Sequence, residues 1–218
     1  MESPTTGASE DWVTGSAGSS STSSPDRRGR LMVVSGPSGV GKTSVVNGLA
    51  SRHAFRFSVS TTTRAPRPGE TDGIEYHFVD RVEFERRIAA DELLEWAEYG
   101  TNLYGTPRSW VEERLRNGDD IVLDIENRGA AQIRSSFPDA VLVFVAPPSL
   151  EALEQRLRDR GDTSEEDVQR RLSVAAEQIE EAATLYDHIV VNDNLSDAIG
   201  AVVDILAAPL DDSSEETP

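Results

Sequence analysis

Leu31-Met32-Val33-Val34-Ser35-Gly36-Pro37-Ser38-Gly39-Val40-Gly41-Lys42-Thr43 joins an apolar run to a glycine-rich turn and then to a helical pattern from about Thr43 to Arg52. Gly36 to Thr43 satisfies G-x-x-x-x-G-K-S/T, and the strand before it and helix after it are the context that gives the pattern its meaning. Glycines let successive backbone N–H groups converge on a phosphate without Cβ clashes, and the helix N-terminus adds its partial positive charge. Gly36, Pro37, Ser38, Gly39, Val40 and Gly41 would form the cradle, Lys42 would reach the β- and γ-phosphates, and the Thr43 hydroxyl would bind Mg²⁺. Lys42 is the only lysine in the chain; every other basic residue is arginine. It falls where a compact ammonium is hard to replace by a planar guanidinium.

Beyond this loop, Ile121-Val122-Leu123-Asp124-Ile125 and Ala140-Val141-Leu142-Val143-Phe144-Val145 are nearly continuous in Val, Ile and Leu, as in strands buried on both faces of a parallel sheet. Ile189-Val190-Val191 reads as a fourth strand. Helical spacing recurs at Leu150, Leu153 and Leu157, and again at Val168, Leu172, Ala175, Ala176 and Ile179. Strands alternating with helices predict an α/β fold in three layers, a P-loop NTPase core around a parallel sheet. Between Phe55 and about Thr106 the alternation breaks into strand-like pieces, turns and a short helix near Val82–Ala90, which reads as an inserted subdomain.

The expected organisation is a Ser/Gly/Thr-rich disordered tail over residues 1–29, one domain over 30–206 and an acidic tail over 207–218. Within the domain, the core takes residues 30–57, 108–150 and 176–206, the insert 58–107, and a helical lid about 151–175. Of 218 residues, 39 are Asp or Glu and 21 are Lys or Arg, a formal charge of −18. Such a surface repels phosphate backbones and anionic membranes, which argues against nucleic-acid and membrane partners. Without cysteine there is no disulfide or thiolate metal site. No signal-peptide pattern or apolar run long enough to cross a bilayer is present, so a cytoplasmic location is expected.

In the insert, Ser58-Val59-Ser60-Thr61-Thr62-Thr63-Arg64-Ala65-Pro66-Arg67-Pro68-Gly69-Glu70 sets two arginines three apart in a turn-rich segment. Arginine forks match the oxygens of a dianionic monophosphate, and Tyr76 and Tyr104 offer phenolic donors; solvated loop charges are the alternative for Arg64 and Arg67. Glu95, Asp124 and Glu126 sit where carboxylates need partners. A carboxylate can accept the adjacent N1–H and N2–H₂ donors of guanine, which adenine lacks, while Ser60 or Thr106 would donate to O6. For Asp124, organising Mg²⁺ or an arginine competes with base contact. Arg156, Arg160 and Arg171 lie on a polar helix–loop–helix suited to closing over a triphosphate. Two anionic substrates repel by roughly 4 kcal/mol per charge pair at about 4 Å and an effective dielectric of about 20, and mobile arginines cancel that repulsion. Arg158 and Arg170 read instead as partners of surface ion pairs.

These residues resemble the guanylate kinases. The resemblance rests on Val34 to Thr43, Phe57-Ser58-Val59-Ser60, Thr62-Thr63-Arg64, Arg67-Pro68-Gly69-Glu70, Gly73-Ile74-Glu75-Tyr76, Leu94-Glu95-Trp96-Ala97 and Tyr104-Gly105-Thr106. It continues through Leu123-Asp124-Ile125-Glu126, Ala146-Pro147-Pro148-Ser149, Arg156-Leu157, Arg160-Gly161, Arg171-Leu172 and Val191-Asn192-Asp193, in family order over about residues 31–206. It implies transfer of the γ-phosphoryl of ATP to GMP, with dGMP a further candidate acceptor, giving ADP and GDP with Mg²⁺. Ser60, Glu95, Thr106 and Glu126 would then hold guanine, and Arg64, Arg67, Tyr76 and Tyr104 the GMP phosphate. Lys42, Arg156, Arg160 and Arg171 would serve the transferred phosphoryl, and Asn192 would lie on the adenine or lid side. The chain departs from the family pattern at Glu126, where aspartate is expected, and at Leu103, where a second tyrosine is common. Two other readings are a kinase of phosphorylated sugars and a noncatalytic phosphopeptide-binding module; the intact loop and lid arginines speak against the module, and Glu95 and Thr106 beside Arg64 and Arg67 against the sugar kinase. The sequence leaves monomer or homo-oligomer open.

Overall fold

A computed structural model describes residues 27–159 and 164–208. The two tails expected from the sequence fall largely outside those residues, as does Arg160. The apolar runs form a five-stranded sheet in the order β2-β7-β1-β8-β9, from β1 (Leu31–Ser35), β2 (Arg56–Phe57), β7 (Ile121–Asp124), β8 (Val141–Ala146) and β9 (His188–Val191). Every neighbouring pair is parallel. Five strands replace the four read from sequence, because Arg56-Phe57 is a two-residue edge strand with no apolar run to announce it.

Alternate residues of these strands face opposite layers. Leu31, Val33, Ile121, Leu123, Leu142 and Phe144 pack under α3 (Arg108–Arg116), α4 (Asn127–Ser136) and α6 (Glu165–Leu185). Met32, Val34, Val122, Val143 and Val145 pack under α1 (Lys42–Ala50) and α7 (Leu195–Ala207). This is the expected three-layer α/β architecture. β1 lies at its centre, so the loop after it opens where chain connections diverge to the two sides, the usual ligand crevice of an open α/β sheet.

The insert folds as a second sheet in the order β4-β3-β6-β5, from β3 (Thr61–Thr62), β4 (His77–Phe78), β5 (Leu93–Tyr99) and β6 (Asn102–Pro107), with α2 (Arg81–Ala89) packed on it. Asp80 caps α2, its side chain accepting from the Glu83 N–H. Phe84 of α2 is fully buried with Leu93 and Leu103. Leu103 therefore points into this small core while Tyr104 takes the other face, so its departure from the family pattern changes packing beneath the sheet. Phe84→Ala should cost about 3–5 kcal/mol, read as a fall in the denaturant midpoint. At the open edge of β5, the Gln132 side chain of α4 accepts from the Trp96 N–H at 3.0 Å and donates to the Trp96 carbonyl at 2.8 Å. One amide thus pairs with the edge strand and ties insert to core.

The segment expected to form a lid holds α5 (Leu150–Asp159) and the start of α6. Leu153, Leu157, Val168 and Ala175 pack between them. Ser164 caps α6 by accepting from the Asp167 N–H.

Candidate active site

The phosphate loop turns at glycines. Gly39 and Gly41 adopt φ of 86° and 92°, a region that side chains strain to enter. Space forbids side chains as well: a Cβ on Gly39 would lie 2.7 Å from Leu157 Cδ2, and one on Gly41 2.6 Å from Asn192 Nδ2. Helix α5 and the segment after β9 therefore press directly on the loop. Asn192, buried, donates from Nδ2 to the Val40 carbonyl at 2.8 Å. The Arg156 guanidinium donates to the Asn192 carbonyl at 2.9 Å and to the Val40 carbonyl at 3.3 Å. Arg156 thus lies against the phosphate loop on the side of Asn192. Arg171 reaches the loop from α6, its Nη1 3.3 Å from Ser38 Oγ.

Lys42 opens α1 and pairs with Asp124, the last residue of β7, at 2.7 Å. Thr43 is exposed on the same first turn. Asp124 thus stands next to the phosphate-loop lysine. Glu126 is exposed at the N-cap of α4 and makes no capping bond.

Of Glu95, Asp124 and Glu126, Glu95 is the buried one, at 6% exposure. It lies opposite Thr106 in the β5–β6 ladder and accepts that hydroxyl at 2.6 Å. Burial pushes its carboxyl up to about 7, against the pull of the Thr106 hydrogen bonds. A Cβ on Gly129 would come within 2.8 Å of Glu95 Oε2. The first turn of α4 therefore lies directly against the carboxylate, which joins the insert's sheet to the loop that carries Asp124 and Glu126.

On the other side of Thr106, Tyr104 and Tyr76 meet edge to face at 6.0 Å. Arg64 lies over the Tyr76 and Phe78 rings at 5.3 and 5.6 Å. Its two terminal nitrogens donate to the Glu70 carboxylate at 2.9 and 2.8 Å. This hydrogen bond raises the guanidinium and holds the carboxyl below the usual carboxylate range. Arg67 is exposed at the turn, with its backbone N–H on Glu70 at 2.6 Å. Ser60 is half-buried just before β3. Sequence reasoning quoted Glu70 without giving it a role; its spacing from Arg64 and Arg67 across a Pro-Gly turn was the available signal. Arg158 and Arg170 make surface ion pairs as expected, Arg158 with Glu154 and Glu165, and Arg170 with Asp167.

A phosphate loop on a parallel sheet, joined to an inserted sheet with a buried carboxylate and an arginine on aromatic rings, is the arrangement of a P-loop phosphotransferase. The family profile described as guanylate kinase matches residues 28–209. A guanylate kinase of Symbiobacterium thermophilum is 53% identical over 182 residues, covering 83% of this chain and 86% of its own. One of Synechococcus sp. is 50% identical over 186 residues, covering 85% of each. The crystal structure of guanylate kinase from Anaplasma phagocytophilum superposes with a TM-score of 0.60 at 32% identity, covering 83% of this chain and 85% of that one. The chain belongs to the guanylate kinase family.

Proposed function

We infer that this chain transfers the γ-phosphoryl of ATP to GMP, giving ADP and GDP, a step of purine nucleotide recycling. The observation that carries the acceptor assignment is the buried Glu95–Thr106 pair against the first turn of α4. In this reading the ionised Glu95 accepts N1–H and N2–H₂ of guanine, and O6 accepts from Ser60, or from Thr106 once its hydroxyl turns away from Glu95. Asp124 and the exposed Glu126 border the base. Arg64, Arg67, Tyr76 and Tyr104 hold the acceptor phosphate, with Glu70 pre-orienting the Arg64 fork. The loop from Gly36 to Thr43 holds the donor phosphates, Arg156 and Asn192 brace that loop, and Arg171 and Arg160 neutralise the phosphoryl in flight. In-line positioning and charge neutralisation suffice; no covalent intermediate is needed.

Mg²⁺ fits the donor set. Among the described residues no cluster of three or more His, Cys, Asp or Glu could cage a metal. An exposed Thr43 hydroxyl with a single nearby carboxylate, Asp124, suits an ion that keeps its waters and enters on phosphates. It would add positive charge between the β- and γ-phosphates.

We assign residues 58–107 to GMP, residues 151–175 to a lid and the remainder of 30–206 to the core, and place the reaction in the cytoplasm. Among the described residues no helix is long and apolar enough to cross a membrane.

ADP formation from Mg·ATP with GMP, dGMP, AMP, CMP and UMP offered separately tests the assignment. Turnover with the guanine nucleotides alone is expected; equal turnover with AMP, or turnover with no acceptor, contradicts it. Glu70→Gln, which keeps size but loses charge, should raise KM for GMP roughly tenfold and leave that for ATP unchanged. An unchanged KM for GMP would remove Glu70 from the site.

A further inference from the structure

One buried polar cluster has no part in the reading above. Asn127, the first residue of α4, is 7% exposed. Its Oδ1 accepts the Tyr186 hydroxyl at 2.8 Å and the Ser35 hydroxyl at 3.5 Å. Its Nδ2 donates to Glu181 Oε2 at 2.9 Å and to the Gln178 carbonyl at 3.2 Å. The last two groups can only accept, which fixes the amide's orientation. Burial pushes the Tyr186 hydroxyl up to about 12, so it stays protonated and donates.

The position of these partners in the chain gives the cluster its meaning. Ser35 is the residue immediately before the phosphate loop. Asn127 follows Asp124-Ile125-Glu126. Gln178 and Glu181 belong to α6, whose Arg171 touches Ser38 of the loop. Gln178 lies seven residues beyond Arg171, about two turns or 10 Å along the same stripe of the helix. Around the cluster, α6 meets the core through small or apolar groups such as Ala182. Contacts of that kind set the distance of a helix but scarcely its axial setting, whereas directional hydrogen bonds fix both.

We propose that Asn127 is a positioning residue for phosphoryl transfer, locking α6, and through it Arg171, to the end of β1 and to the loop bearing Asp124 and Glu126. The proposal rests on the reading that Arg171 serves the transferred phosphoryl. Without the amide, α6 keeps its apolar contacts and loses its setting, so Arg171 meets the reacting phosphoryl out of register. Ground-state binding of ATP and GMP, made by other groups, is spared.

The test is a double-mutant cycle of Asn127→Ala and Arg171→Ala, read as kcat and KM in the assay with Mg·ATP and GMP. Asn127→Ala is expected to lower kcat roughly tenfold with either KM changed less than about threefold, and in the Arg171→Ala background its further effect should shrink below about twofold. Equal fold losses in both backgrounds, or an unaltered kcat, overturn the proposal. Arg171→Ala at full kcat would instead overturn the reading beneath it, and the proposal with it, and that single variant tells the two failures apart. Glu181→Ala, on the exposed side of α6, guards against misfolding of Asn127→Ala. It is expected to lower kcat about threefold with the same coupling to Arg171, and absence of that coupling also overturns the proposal.

Discussion

Lys42→Ala lowers kcat by about a thousandfold, the scale for removing a preorganised charge from a transition state. In the free protein Lys42 makes one ion pair, to Asp124, with the two side chains 20% and 25% exposed. Losing it leaves a carboxylate that water reaches, so the fold pays little and Tm should move by less than about 3 °C. The same contact means that donor phosphates must draw the ammonium away from Asp124. Lys42→Arg should not restore activity, because a longer planar fork cannot occupy the space of a compact ammonium. Turnover near that of the parent in Lys42→Ala, measured as ADP release, would contradict the role of the loop.

The second large effect belongs to Glu95. Glu95→Gln replaces half of an acceptor pair by a donor, and should raise KM for GMP roughly tenfold to a hundredfold while leaving KM for ATP within about twofold. Equal effects on both would contradict base reading by this carboxylate. The carboxyl stands near 7 in the free protein because burial disfavours its charge. Guanine requires the ionised form, so kcat/KM for GMP should fall as pH drops below about 7, and this inflection should vanish in Glu95→Gln. Stability runs the other way. The folded-state value lies above the ordinary one of about 4.5, so the carboxyl's contribution is full below that ordinary value and is lost as pH rises through about 7. Glu95→Gln should therefore gain Tm relative to the parent at pH 8 and not at pH 5.

Much of the core was legible because its central strands are buried on both faces, leaving uninterrupted runs such as Val141–Ala146. The edge strand Arg56–Phe57 and the pairs Thr61–Thr62 and His77–Phe78 are two residues each, too short to show a period. Helix α7 was left unread, although Asn194 caps it and Ala198, Ile199, Val202 and Leu206 are buried at helical spacing. α3 offered only Val111 and Leu115 in a charged segment.

The site was legible where chemistry is local, as in the phosphate loop, and less so where long-range register makes the contact. Glu95 meets Thr106 across a ladder whose register shifts between Leu93 and Glu95. The partners of Arg156 are backbone carbonyls of Val40 and Asn192, which no side-chain pattern marks. Glu126 was read as needing a partner because it follows a buried strand; the turn into α4 leaves it exposed. Asn127 carried no reading from the sequence. Its burial depends on α6, with Glu181 54 positions away.

A single-turnover reaction with ATP radiolabelled at its γ-phosphorus and excess GMP tests the central claim most directly. The account predicts label in the β-phosphate of GDP, with little in inorganic phosphate and none in a phosphorylated protein. Label released as inorganic phosphate whether or not GMP is present would contradict it.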